Sequence, residues 1–223
     1  INPIGFTINL DLNSPTLTAD CSICTSAVRG GVWINYPFRA HASYQSPIES
    51  MPLFTLLQPD LILGSSVLDL TPEIIAQYQI EGLVLDVDDT IVPIGSSIAQ
   101  LELVLWIEQI SKIVPLWLVT NNPNQVRIAA IADSLSLPYV LSAGKPSRRK
   151  LRQAVEAMQL DPKQVAMVGD RVFTDVLAGN RLGMFTILIE PIVSDDSSIG
   201  FHLLRRVEFA IARLLGVSLT TNR

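Results

Sequence analysis

Four short polar clusters, each directly behind an apolar run, hold the residue types that phosphoryl transfer requires. They are Asp86-Val87-Asp88-Asp89-Thr90, Thr120-Asn121-Asn122, Gly144-Lys145-Pro146 and Gly169-Asp170-Arg171-Val172-Phe173-Thr174-Asp175. Carboxylates gathered in one place repel one another. Two unit charges 4 Å apart interact by roughly 4 kcal/mol at an effective dielectric of 20, so such a group calls for a cation. Hard oxygen ligands that leave room for water suit Mg²⁺, which commonly takes one or two carboxylates together with a substrate phosphate. Lys145 would add a second positive charge, and Thr120 with the amides behind it would offer hydrogen bonds to an anion. Singly, each residue has a plainer role. Asp86 or Asp170 could sit in a turn, Thr120 could cap a helix, Lys145 could be a surface lysine, and Asp175 could favour a helix amino end. Four such coincidences at four successive strand ends are a poorer explanation than one shared site.

The Asp86-x-Asp88 spacing adds a division of labour. Side chains at i and i+2 point the same way along an extended segment. Asp86 can then attack phosphorus while a protonated Asp88 reaches the leaving oxygen. Water would follow, with Asp88 now acting as base. A covalent aspartyl-phosphate splits one slow hydrolysis into two easier steps. Asp89 reads as structural, and Arg171 as a solvated arginine.

The elements that must position these residues are legible as an alternation. Apolar runs at 82–85, 116–119, 139–141, 165–168 and 185–189 alternate with helical patterns at 98–113, 124–135, 147–158 and 174–182. Apolar strands without polar alternation are buried on both faces, and strand–helix alternation gives a parallel sheet. Asp86, Thr120, Lys145 and Asp170 lie 34, 25 and 25 residues apart, close to the roughly 30 residues of a strand–helix–strand unit. The expected fold is therefore α/β: a Rossmann-like parallel sheet of about five strands with helices on both faces, its site beyond the carboxyl ends of the strands. Residues 53–78 read as short helical pieces and turns, with a helix start at Thr71-Pro72-Glu73.

The order and wording of the four clusters resemble the motifs of the haloacid dehalogenase (HAD) superfamily over roughly residues 60–192. The resemblance implies that Asp86 and Asp88 form the first motif, Thr120 the second, Lys145 the third, and Asp170 with Asp175 the fourth. It implies that the Asp86 carboxylate, the Asp88 main-chain carbonyl and Asp170 hold Mg²⁺, with Asp175 acting from behind them or through water. Thr120, Asn121 and Lys145 would contact the phosphate. An acid two residues after the nucleophile favours phosphate-ester hydrolysis within the superfamily. Neither the Thr90–Thr120 nor the Asn122–Lys145 interval has room for a lid domain, so the site should be open. Leu57-Gln58-Pro59-Asp60, residues 83–93 and residues 168–188 resemble the YqeG-type subclass IIIA phosphatases, whose eukaryotic relatives are phosphatidylglycerophosphate phosphatases.

The rest of the chain bounds the partners. The 223 residues carry a net charge of −5, which argues against general nucleic-acid binding. No apolar run reaches the ~18 to 20 residues of a membrane span, and the amino end lacks a signal-peptide pattern. Residues 1–50 show no sustained period and read as a poorly patterned extension: disordered, transit-like, or foreign to the working protein. Cys21 and Cys24 read as incidental thiols, since a structural zinc site wants four ligands and only His41 and His202 stand as further candidates. The hydrolase domain is expected over residues 51–192 and an amphipathic helix over 193–223, with Leu203, Leu204, Val207, Ile211, Leu214 and Leu215 on its apolar stripe. That helix should dock on the domain, or lie on an anionic membrane together with Lys145, Arg148, Arg149 and Lys150. The expected activity is Mg²⁺-dependent hydrolysis of a phosphomonoester, with phosphatidylglycerophosphate as substrate. A soluble sugar or nucleotide phosphate, or a binding protein without turnover, are the alternatives. The expected location is cytoplasmic, with peripheral membrane contact, or organellar if residues 1–50 are a transit segment.

Overall fold

The computed structural model describes residues 53–192 and 199–219. The readings of residues 1–50, of Cys21 and Cys24, and of His41 lie outside the described residues.

Six parallel strands form one sheet in the order β1-β6-β5-β2-β3-β4: β1 (Leu61–Ile62), β2 (Gly82–Leu85), β3 (Leu116–Val119), β4 (Tyr139–Val140), β5 (Val165–Gly169) and β6 (Phe185–Leu188). The helices are α1 (Leu53–Leu57), α2 (Pro72–Gln77), α3 (Leu101–Ile110), α4 (Gln125–Leu135), α5 (Arg149–Met158), α6 (Leu177–Leu182) and α7 (Ile199–Leu214). Strand β2 is buried throughout because both its faces are covered. Leu83 and Leu85 pack with Leu103, Trp106, Ile107 and Ile110 of α3 and with Ile128, Ile131 and Leu135 of α4. Val84 points the other way, against Leu151, Ala154 and Val155 of α5 and Ala178 and Leu182 of α6.

The strand order determines where chemistry can happen. From β2 the chain moves outward through β3 and β4, then returns across the sheet to β5 and continues outward to β6. The direction of progress reverses between the neighbours β2 and β5. Loops leaving the carboxyl ends of two such strands diverge and leave a crevice between them. Asp86 follows β2 and Asp170 follows β5, one on each side of that crevice. Among the described residues, 90–120 and 122–145 each hold one helix and one strand, and neither holds a lid domain.

The sixth strand, β1, lies in the segment expected to hold only helical pieces and turns. It has two residues, too few to show a period, and it forms because Asp60 clamps it to β6. The Asp60 carboxylate accepts from the Thr186 amide at 2.8 Å and hydroxyl at 2.9 Å, while the Asp60 amide donates to the Thr186 carbonyl at 3.0 Å. Asn180 donates to the carbonyls of Leu56 and Gln58. Thr71 occupies the cap position of α2, as its φ and ψ show, but its side chain makes no cap hydrogen bond.

Helix α7 docks through a face other than the apolar stripe. Val207, Ile211, Leu214 and Leu215 of the anticipated docking stripe are exposed, whereas Glu208 and Ala212 are buried. Successive helix positions differ by about 100°, so the docked face is displaced by about one position. The reason is polar. Glu208 accepts from the Phe173 amide at 2.5 Å and pairs with Arg171 Nε at 3.4 Å, satisfying a carboxylate and a buried amide together. Ala212 packs in one apolar cluster with Val172, Val176 and Leu188.

Candidate active site

The crevice gathers the acidic residues. One carboxylate oxygen from each of Asp86, Asp170 and Asp175 lies within 4.8 Å of the others, and all three residues are buried. Lys145 Nζ stands 2.7 Å from Asp86 Oδ1 and 2.7 Å from Asp175 Oδ1, and donates to the Val119 carbonyl at 2.9 Å. Residues at or beyond the carboxyl ends of four strands therefore meet at one ammonium group.

Each member is placed by its own local structure. Asp86 continues β2, with its amide donating to the Val168 carbonyl of β5 at 2.9 Å. Asp175 sits in a wide, π-type helical turn, Val172–Val176, which precedes α6 where a regular helix was expected from residue 174. That turn brings Asp175 against the backbone of Gly169: a Cβ there would lie 2.5 Å from the Asp175 Cγ, so only glycine fits. The Asp175 carboxylate accepts from the Arg171 amide and the Thr174 hydroxyl, both at 3.2 Å. Asp89 adopts φ +60° in the turn after the nucleophile position. Its Oδ1 accepts from the Ile94 amide and its carbonyl accepts from the Ile192 amide, the structural role expected of it.

Burial pushes the Asp86 carboxyl up from 3.8 to about 6. Lys145 pulls it back and Asp175 adds to the rise. Burial pulls the Lys145 ammonium down, but Asp175 and Asp86 outweigh it and leave the group above its ordinary value. Three carboxylates facing one ammonium still leave negative charge in a buried place. The donor set is all hard oxygen, which fits Mg²⁺.

The other expected site residues have partners of their own. The Asp88 carboxylate is not part of the acidic cluster: Oδ1 lies 2.6 Å from Arg127 Nη1 and Oδ2 accepts from Asn122 Nδ2 at 2.9 Å. A metal contact from Asp88 would have to use its main-chain carbonyl. Asn121, expected at the substrate, grips the main chain of Lys145. Its Oδ1 accepts from the Lys145 amide at 2.7 Å and its Nδ2 donates to the Lys145 carbonyl at 3.0 Å. Thr120 is buried, and its hydroxyl oxygen accepts from the Asn122 amide at 3.1 Å, leaving its own O–H to donate. Arg171, read as solvated, pairs with Glu208.

Arg127, Asn122 and Glu208 had been missed. Arg127 also donates to the Ser96 carbonyl at 2.6 Å and to the Pro93 carbonyl at 3.3 Å, tying the loop after Asp88 to α4. Its signal was a charged residue on the buried face of α4, in phase with Ile131 and Leu135.

Comparison with known proteins agrees with this geometry. The family model described as HAD-hydrolase-like matches residues 142–198. A Bacillus subtilis (strain 168) protein named "Probable phosphatase YqeG" is 32% identical over 135 residues, 60% of this chain and 78% of that one. The chloroplastic phosphatidylglycerophosphate phosphatase 1 of Chlamydomonas reinhardtii is 31% identical over 93 residues, 41% of this chain and 35% of that protein's own length. Among solved structures, the cobalt-bound deoxy-D-mannose-octulosonate 8-phosphate phosphatase of Haemophilus influenzae overlays with a TM-score of 0.40 at 12% identity, covering 62% of this chain and 88% of that one. Fold and site together define a HAD-type hydrolase. Within that class, the chain belongs to the family of the YqeG phosphatase.

Proposed function

We propose that the protein is a Mg²⁺-dependent phosphomonoesterase that works through an aspartyl-phosphate on Asp86 and acts on phosphatidylglycerophosphate. The observation that carries the chemistry is the Lys145 ammonium held 2.7 Å from both Asp86 and Asp175, beside Asp170. The Asp86 and Asp170 carboxylates and the Asp88 carbonyl would hold the ion, with Asp175 fixing Lys145 beside them. When bound, Mg²⁺ neutralises charge on the phosphate oxygens and on the cluster.

Asp86 attacks phosphorus, the bond from phosphorus to the alcohol oxygen breaks, and that oxygen takes a proton from Asp88. Water then attacks the aspartyl-phosphate, gives a proton to Asp88 and releases Asp86 and inorganic phosphate. Lys145 and the Thr120 hydroxyl stabilise the phosphoryl oxygens. Arg127 and Asn122 orient Asp88 beside the leaving oxygen. The lipid substrate is supported by the open crevice and by the Chlamydomonas relative. We place the protein in the cytoplasm at a membrane surface, or inside an organelle if residues 1–50 serve as a transit segment.

The test is phosphate release by the full chain with Mg²⁺, comparing phosphatidylglycerophosphate in detergent micelles with sugar phosphates, nucleotides and p-nitrophenyl phosphate. Preference for the lipid in kcat/KM, lost in Asp86→Asn, is the expected result. Turnover of soluble esters alone removes the lipid reading. No turnover by folded, Mg²⁺-supplied protein favours a binding protein that keeps the fold without catalysis.

A further inference from the structure

The crevice opens at the carboxyl ends of the strands, and helices α3, α4 and α5 all begin at that same edge, because each carries the chain back from it. Their first turns and the loop leading into α3 therefore form the rim of the site. On the side of α3 and α4 the rim is apolar and uncovered. Ile94 is 48% exposed, Ile98 79%, Leu101 69% and Val126 83%. Single exposed apolar side chains need no explanation, but four around one opening are a patch. They stand beside the chemistry: Val126 precedes Arg127, which holds Asp88 and the carbonyls of Pro93 and Ser96 on either side of Ile94.

On the opposite side of the sheet the rim is basic. Arg148, Arg149 and Arg152 at the start of α5 and Arg181 of α6 line a groove in which Glu156 is the one acid. The groove is tied to the site loop, since Arg181 Nη1 donates to the Pro146 carbonyl at 3.0 Å and Arg148 Nη1 to the Arg181 carbonyl at 2.9 Å. Residues 146–152 contain four basic residues and no acid, in a chain whose net charge is −5. This rim is therefore positive in a chain that is negative as a whole.

We propose that the rim docks the open site on an anionic phospholipid surface, with Ile94, Ile98, Leu101 and Val126 entering the acyl boundary and the arginine groove meeting the headgroup phosphates. An apolar lip on one side of a phosphate site and a basic lip on the other match an amphiphile that carries its phosphate at the water boundary. A second copy packed across a two-fold axis on this rim would set basic lip against basic lip, which makes it the poorer occupant. The proposal deepens the lipid-phosphatase reading in one respect, that docking delivers the substrate, but the binding itself is measurable without turnover.

The test is co-sedimentation of the full chain with phosphatidylcholine vesicles, with and without phosphatidylglycerol, for wild type, Ile98→Ser, Ile98→Ser/Val126→Ser and Arg149→Gln. Wild type should bind the anionic vesicles and leave the neutral ones. Each lost anchor should weaken binding about tenfold, and Arg149→Gln about fivefold with a reduced salt dependence. All variants should hydrolyse p-nitrophenyl phosphate within about twofold of wild type, since none touches the acidic cluster. Failure of wild type to bind anionic vesicles overturns the proposal, as does binding unaffected by the rim substitutions, or dimerisation that the double variant abolishes. If vesicles bind through the rim while phosphatidylglycerophosphate is not hydrolysed, the docking surface stands and the substrate reading falls.

Discussion

Replacing Asp86 with Asn should stabilise the metal-free protein at neutral pH. The Asp86 carboxyl is raised from 3.8 to about 6, mainly by burial. Between those values the unfolded chain has released the proton that the folded chain still holds. Folding therefore loses stability as pH rises through that window, and above about pH 6 the whole penalty is present. About two pH units at 1.36 kcal/mol each give about 3 kcal/mol. Asn keeps an oxygen for Lys145 but carries no charge beside Asp170 and Asp175. Urea unfolding in the presence of a chelator should therefore show Asp86→Asn more stable than wild type by about 3 kcal/mol at pH 7.5, and equal to it near pH 4. In a melt, the neutral-pH gain corresponds to roughly 6–12 °C for a domain of this size. Added Mg²⁺ should close the gap, because it stabilises the wild-type cluster by mass action. A variant less stable than wild type at pH 7.5 without metal would show that the Asp86–Lys145 pair outweighs the cost of burial. A difference that ignores pH would show that the charge of Asp86 is not its origin.

Gly169→Ala places a methyl 2.5 Å from the Asp175 Cγ. It should lower kcat on the order of a hundredfold while circular dichroism stays native, since displacements near 1 Å cost that much; an active Ala variant would contradict the close packing. Glu208→Ala strips the Phe173 amide of its acceptor and should cost about 1–3 kcal/mol in urea unfolding, together with weaker Mg²⁺ binding. Glu208→Gln, which keeps an acceptor, should recover most of both, and equal behaviour of the two variants would deny Glu208 this role. Mg²⁺ affinity, measured by calorimetry, should fall about tenfold per pH unit below about 6, because the ion must displace the proton on Asp86. A flat profile would mean that Asp86 is not a ligand.

Much of the sheet could be read in advance, because strands buried on both faces announce themselves as apolar runs and because each polar cluster directly follows one. The convergence of Asp86, Lys145, Asp170 and Asp175 follows from the spacing of those clusters. What escaped were features set by tertiary hydrogen bonds. Strand β1 has two residues and exists through the Asp60–Thr186 clamp, which no local period reports. Helix α7 docks through Glu208 and Ala212, not through its apolar stripe, because the part-buried Phe173 amide draws Glu208 inward. Arg127 finds its partners Asp88, Pro93 and Ser96 across 31 to 39 residues, beyond the reach of any local pattern. The side-chain amide of Asn121 matches the main chain of Lys145, a pairing across 24 residues that no local pattern reports.

The covalent step is open to direct observation. Acid quenching of the Mg²⁺-loaded enzyme during turnover, followed by peptide mass spectrometry, should find one phosphoryl group on the peptide that contains Asp86, and none in Asp86→Asn. Steady turnover with no phosphorylated peptide, or with the group on another residue, would contradict Asp86 as the nucleophile.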